Sequence, residues 1–190
     1  MFISHTVSFV KAVMGQVAGP GDIAVDATVG NGIDTLFLSQ QVGPEGKVFG
    51  FDIQQNALDN ARQRLASQGA PDNVTLHLAG HERMAEVLPD EVRCAVGAVM
   101  FNFGYLPGGD ETVITRPETS CAAIDAALSV MRRGGVASMV LYTGHPGGAE
   151  EAEAIEAHCA AIPMDRARVM QCCMTNHPGA QTRVLLVEKR

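Results

Sequence analysis

Val25-Asp26-Ala27-Thr28-Val29-Gly30-Asn31-Gly32, followed along the chain by Val48-Phe49-Gly50-Phe51-Asp52, is the stretch that decides the fold. The first run reads as a strand entering a glycine turn. There the missing Cβ lets backbone approach a ligand, and the start of a helix offers unpaired N–H groups. The second reads as a strand that ends in an acid. Between them, Asp34 to Val42 has the composition of a helix, broken by Gly43-Pro44. A strand, a glycine turn, a helix and a second strand with a terminal acid describe a crevice for a nucleoside-containing cofactor.

Outward from this unit the same alternation continues. Apolar spacing from Phe2 to Val17 (Phe2, Val7, Phe9, Val10, Val13, Met14, Val17) predicts an N-terminal helix at about 2–18, ended by Gly19-Pro20-Gly21. Strands are predicted at Ile23 to Ala27, Lys47 to Phe51, Val74 to Leu78, Cys94 to Phe101 and Val136 to Tyr142. Helices are predicted at Gln55 to Ser67, Glu82 to Leu88 and Glu118 to Met131, the last stopped by Gly134-Gly135. The tail reads as a helix, Glu150 to Ala161, whose acidic start suits its dipole, then two strands, Arg168 to Met174 and Thr182 to Glu188, as an antiparallel pair. Parallel strands need crossover connections, so the alternation implies an α/β domain with helices on both faces of a mostly parallel sheet. The terminal pair suits the Rossmann-like, seven-stranded class I methyltransferase arrangement, with an antiparallel last strand. Residues 1–190 read as a single domain.

Composition excludes several classes. With 46% hydrophobic and 18% charged residues the chain is globular, and no apolar run approaches the roughly 18 residues of a membrane span. The N-terminus carries no basic start with a small-residue cleavage site, so cytoplasm is the expected compartment. Five cysteines (Cys94, Cys121, Cys159, Cys172, Cys173) lack paired spacing and the histidines do not cluster, so no metal is expected. Cys94 and Cys121, in apolar surroundings, are expected to be small buried thiols. A net charge of −7 disfavours a broad nucleic-acid surface, so any RNA would be gripped locally. The sequence fixes no oligomeric state, and a homodimer is compatible with it.

Asp26, Gly30, Asn31 and Gly32 occupy the first strand-to-helix turn. The phosphate fingerprint G-x-G-x-x-G is incomplete, because Gly30-Asn31-Gly32 is followed by Ile33-Asp34-Thr35, which sets an acid where a pyrophosphate would sit. That charge favours a cationic amino-acid moiety and so S-adenosylmethionine, with its sulfonium and ammonium. Asp52 is placed to accept both ribose hydroxyls, with Ile53 and Gln54 flanking adenine. NAD would use the same acid, and Asp26 and Asp52 would equally cap a turn and a helix. Gly80-His81-Glu82 follows the third strand, where such sheets contact adenine; His81 would equally cap the next helix.

Asn102-Phe103-Gly104-Tyr105, continued by Leu106-Pro107-Gly108-Gly109-Asp110, suits methylation of an amine. The Asn102 carbonyl can accept an N–H bond and turn the nitrogen lone pair toward an electrophile, and Tyr105 can stack on a flat ring. Methyl transfer from a sulfonium is an in-line displacement that rests on alignment. An alkylammonium acceptor must first lose a proton, for which Asp110 and His145 are candidates. Alternatively, Asp110 closes the Gly108-Gly109 turn and His145, before Pro146, shapes its loop.

DATVGNGIDTLFLS (Asp26 to Ser39), GFDIQ (Gly50 to Gln54), NFGYLPGGD (Asn102 to Asp110) and the loop Tyr142-Thr143-Gly144-His145-Pro146-Gly147 closely resemble a bacterial family once labelled as rRNA methylases. That family is now understood as the tRNA 5-aminomethyl-2-thiouridine methyltransferases, and the resemblance spans nearly the whole chain. It implies methylation of the side-chain amine of the wobble uridine. It also implies an S-adenosylmethionine pocket lined by Asp26, Gly30, Asn31, Gly32, Asp34, Thr35, Asp52 and Gln54. Asn102 and Tyr105 would face the acceptor, Gly108 and Gly109 would contact it, and Thr115, Glu118 and Thr119 would close one wall. The chain departs from the family at Ile33, where many relatives carry His, and in a shorter Asn176-His177-Pro178 stretch.

The expected partner is a tRNA anticodon stem-loop, one base of which is splayed onto Tyr105 or Tyr142. Lys11, Arg116, Arg132, Arg133, Arg166 and Arg168 are candidate phosphate contacts, with solvated surface charge the alternative for each. Other readings are the same chemistry on rRNA or a small amine, and a non-catalytic cofactor-binding module.

Overall fold

The computed structural model describes residues 6–177 and 179–190; Phe2 to His5 of the expected first helix, and Pro178, lie outside the described residues. Among the described residues seven strands form one sheet: β1 (Ile23–Asp26), β2 (Lys47–Asp52), β3 (Val74–Leu78), β4 (Val96–Phe103), β5 (Met131–Tyr142), β6 (Ala167–Cys172) and β7 (Thr182–Lys189), in the order β3-β2-β1-β4-β5-β7-β6. β1 pairs in parallel with both β2 and β4, while β7 runs antiparallel to β5 and β6. The strand order therefore reverses beside β1, which opens a crevice at its carboxyl end.

Helices cover both faces. α1 (Thr6–Val17) and α2 (Ile33–Val42) place Val10, Met14, Leu38 and Val42 against Ala24, Val48, Ala98 and Met100. α3 (Gln55–Ser67) adds Leu58 and Ala61 around Val29. On the other face α4 (Met84–Val87), α5 (Pro117–Val130) and α6 (Gly148–Ala160) bury Met84, Ile124, Leu128 and Ile155 against Val25, Phe51, Val99, Phe101 and Phe103. β4 shows the period-two alternation directly: Val99, Phe101 and Phe103 face one layer and Ala98 and Met100 the other. Strands buried on both sides read as continuous apolar runs for this reason.

Several boundaries differ from expectation, each with a local cause. β4 begins at Val96 and continues through Phe103, because Asn102 and Phe103 still pair with Val140 and Leu141 of β5. Asn102 thus stands on the strand, not after it. Cys94 is exposed in a left-handed turn (φ 60°), and Cys121 is only partly buried, so neither is the enclosed core thiol expected. α5 ends at Val130, and β5 starts at once with Met131, which pairs with Val96; the strand then passes through Gly134-Gly135 with a register shift. The expected helix at Glu82 to Leu88 is a 3-10 turn, His81–Arg83, and the single α-turn of α4. Pro89 forces Leu88 into an extended conformation (ψ 137°) and stops it. β6 ends at Cys172, short of Met174.

Candidate active site

A cleft of ≈ 390 Å³ opens at the carboxyl ends of β1, β2 and β4. Its floor is the turn after β1. Gly32 has φ +74° and a Cβ there would lie 2.7 Å from Ala61 Cα, so the turn is seated directly on α3. The Gly30 N–H donates to Asp52 Oδ2 and the Gln54 N–H to Asp52 Oδ1, both at 2.9 Å. Asp52 thereby ties the first turn to the second strand, and each oxygen keeps a lone pair for a hydroxyl donor. Asn31 is a strut: its Nδ2 donates to Pro107 O (3.1 Å), and its Oδ1 accepts from Asn60 Nδ2 (3.0 Å).

Asp26 and Thr35 stand behind this wall. Both are 0% exposed, and the Thr35 hydroxyl donates to Asp26 Oδ2 at 2.6 Å while the Thr28 N–H donates to Oδ1 at 3.2 Å. Burial, reinforced by the charge of Asp34, pushes the Asp26 carboxyl up to about 7 against the pull of those two bonds.

Asn102 is held from two sides. Its backbone N–H donates to Thr28 Oγ1 (2.8 Å) and its Nδ2 donates to Asp34 Oδ2 (2.8 Å). A carboxylate only accepts, so this bond assigns the amide: Nδ2 faces Asp34, and the carbonyl Oδ1 is left for the cleft. Asp34 is in turn ion-paired through Oδ1 with Lys11 Nζ at 2.9 Å, and Lys11 also lies over the Phe37 ring. Lys11 is thus turned inward from α1, and takes neither of the roles considered for it, phosphate contact or solvated surface charge.

His81 is buried and makes a 3.3 Å contact through Nδ1 with Ala27 O, so it closes onto β1 instead of capping the turn it begins. Burial lowers its pKa; the ring is neutral at pH 7, with the proton on Nδ1 facing that carbonyl. Phe101 and Phe103 meet it edge-on at 6.0 and 5.8 Å.

Tyr105 and Tyr142 line both the cleft and a second recess of ≈ 320 Å³. Tyr105 meets the His145 ring edge-on, with centroids 5.5 Å apart. His145 Nδ1 lies 3.0 Å from Pro146 O and its Nε2 is buried without a hydrogen-bond partner among the described residues, close to Gly104 and Gly148. Asp110 is turned into its own loop, where Oδ1 accepts from the Thr112 hydroxyl (2.6 Å) and N–H (2.9 Å); those bonds hold its carboxyl below the usual range.

The structure thus gathers Gly30, Asn31, Asp34, Asp52, Ile53, Gln54, His81, Asn102, Tyr105, Thr115, Thr119 and Tyr142 around one cleft. Asp26, Gly32 and Thr35 support it from behind, His145 borders the second recess, and Gly108, Gly109 and Asp110 lie outside both. Sequence reasoning missed Thr28, Lys11 as partner of Asp34, and above all Glu151. Expected to serve only the α6 dipole, Glu151 is 2% exposed and accepts from Ser120 Oγ (2.6 Å) and Thr115 Oγ1 (2.8 Å), which clamps the segment after Tyr105 to α5 and α6. Its only sequence signal was an acid in an Ala-rich helix.

Of the remaining candidate phosphate contacts, Arg132 pairs with Asp22 and Arg166 with Asp125; Arg116, on the cleft rim, and Arg133 and Arg168 form no ion pair among the described residues. No helix among the described residues is long and apolar enough to cross a membrane, and none of their His, Cys, Asp and Glu side chains form a group that could hold a metal ion.

Comparison with known proteins places this geometry. A family model described as "Putative rRNA methylase" matches residues 48–188. A solved "putative rRNA-methylase from Clostridium thermocellum" superimposes with TM-score 0.93 and 35% identity, each chain covered in full. A "putative methyltransferase from streptococcus mutans in complex with SAH" gives TM-score 0.86 and 31% identity over 99% of both chains. In Arabidopsis thaliana, a "tRNA (mnm(5)s(2)U34)-methyltransferase, chloroplastic" is 36% identical over 182 residues, 92% of this chain; the chain spans 66% of that relative's length. The fold is that of the class I methyltransferases, and the chain belongs to the family described as "Putative rRNA methylase".

Proposed function

We propose that this chain is an S-adenosylmethionine-dependent N-methyltransferase acting on the aminomethyl group of 5-aminomethyl-(2-thio)uridine at the tRNA wobble position. The observation that carries the proposal is the Lys11, Asp34, Asn102 relay, which leaves an amide carbonyl facing the cleft that Asp52 borders. The name of the Arabidopsis thaliana relative supports the tRNA acceptor.

The residues fit the cofactor. Asp52 offers both oxygens to ribose hydroxyls, and the cleft volume lies in the range of small-ligand sites. Asp34 in the first turn of α2 opposes a phosphate at that helix start and tolerates a cationic amino-acid group. When bound, S-adenosylmethionine supplies a methyl on a positively charged sulfur to a neutral nitrogen. Asn102 Oδ1 accepts an N–H of the acceptor amine and fixes the direction of its lone pair. Tyr105 and Tyr142 flank the flat base. Asp110 lies outside the cleft and the recess, and His145 Nε2 is enclosed, so the proton of an alkylammonium acceptor passes to water. The pH profile of kcat/KM then follows the acceptor amine and survives Asp110→Asn.

Methyl transfer from labelled cofactor to tRNA from a strain lacking this activity, with nucleoside mass spectrometry, tests the proposal. Asn102→Ala should lower turnover about 100-fold, the scale of one lost orienting contact, with cofactor affinity within about threefold. Unchanged methylaminomethyl-thiouridine in a deletion strain without a redundant enzyme rejects it. The family description favours a second reading, the same chemistry on rRNA, which parallel assays with purified rRNA would separate.

A further inference from the structure

The recess beside the cleft shares Tyr105, Pro107 and Tyr142 with it, and adds Gly144, His145, Gln181 and Thr182. An acceptor must lie next to the methyl donor yet outside the donor's own cleft, and this recess meets both conditions. Its chemistry is that of a site for a flat polar ring: two tyrosines for the faces, an amide and a hydroxyl for the edge.

Gln181 stands at the entrance to β7 and is held by its backbone, whose carbonyl accepts the Thr143 N–H at 2.9 Å. Its side chain lies across Gly144, where a Cβ would come within 2.6 Å of Gln181 Oε1. Gly144 therefore makes room for the amide. Gln181 is exposed, and its amide forms no hydrogen bond within the protein among the described residues, so both donor and acceptor remain free. An amide so placed can accept from a ring N–H while donating to the adjacent ring carbonyl, the pattern that uracil and its 2-thio form present at N3 and O4.

Resting on the function proposed above, we infer that the Tyr105, Tyr142, Gln181 recess is the chamber for the flipped acceptor base, and that the Gln181 amide is the specificity-determining group that reads its edge. Base extrusion is the general means by which an enzyme reaches an atom held in a nucleic-acid stack.

Steady-state methylation of an anticodon stem-loop carrying 5-aminomethyl-2-thiouridine tests this, with cofactor Kd measured by calorimetry. Gln181→Ala should raise the KM for the stem-loop about tenfold, the worth of one hydrogen bond in a desolvated site, and leave cofactor Kd and melting temperature unchanged. Gln181→Glu, which cannot donate to O4, should be at least as impaired. Gly144→Ala, which displaces the amide without removing it, should shift KM in the same direction. If the wild type methylates the stem-loop and Gln181→Ala does so with the same KM, the recess is not the base chamber and the function stands. If the wild type binds cofactor and methylates no RNA, function and chamber both fail.

Discussion

Asp26→Asn isolates the electrostatic cost of the wall behind the cleft. The carboxyl is fully buried, and its pKa moves from 3.8 to about 7. At about 1.4 kcal/mol per pH unit, that makes the ionised form about 4 kcal/mol less stable in the folded chain than in the unfolded one. The sign follows from proton counts. Between pH 4 and 7 the folded chain holds a proton on Asp26 that the unfolded chain has lost, so this group lowers stability as pH rises, and the decline ends above about 7. Asparagine carries no such titration. It does lose one of the two bonds from Thr35 and Thr28, a penalty of about 1 kcal/mol that is independent of pH. The variant should therefore be slightly less stable than wild type at pH 4 and about 3 kcal/mol more stable at pH 8, after the bond penalty is subtracted from the ionisation cost. Urea unfolding followed by circular dichroism at pH 4, 5, 6, 7 and 8 reads the difference, in which the titrations common to both proteins cancel. A difference that stays flat across this range would falsify the assignment of a proton to Asp26 near neutrality.

Asp52→Ala should weaken S-adenosylmethionine binding about 100-fold by calorimetry, because two hydroxyl bonds to a carboxylate disappear and the Gly30 turn loses its anchor. An effect under threefold would place the ribose elsewhere. Lys11→Met leaves the Asp34 carboxylate without its counter-ion and loosens the group to which Asn102 Nδ2 donates; kcat for methyl transfer should fall about tenfold while the KM for RNA stays within about twofold. An unchanged kcat would remove α1 from the catalytic relay. Glu151→Ala strands the Ser120 hydroxyl and leaves Thr115 Oγ1 only its 3.4 Å bond to Gly104 O, at a cost of about 2 kcal/mol, and should lower Tm by about 6 °C and open the 105–116 segment to proteolysis. A wild-type Tm would show that other contacts hold that segment.

The sequence alone determined the α/β class, the antiparallel last strand and many of the residues that line the cleft, because those features are local. A buried parallel strand is an unbroken apolar run, a turn seated on a helix requires glycine, and the acid that ends a strand sits at the crevice wherever the strand ends. DATVGNGIDT and GFDIQ were therefore legible without coordinates. Tertiary structure decided what depended on meetings across the sheet. Asp26, adjacent in sequence to cleft residues, points behind the wall to Thr35, since alternate residues of a strand face opposite sides. Lys11 and Asp34 come from different helices, and Glu151 joins Thr115 and Ser120 across a long sequence separation. No periodicity encodes such pairs: each is fixed by how the two helical layers settle on the sheet, and buried polar groups then take the partners that packing leaves within reach.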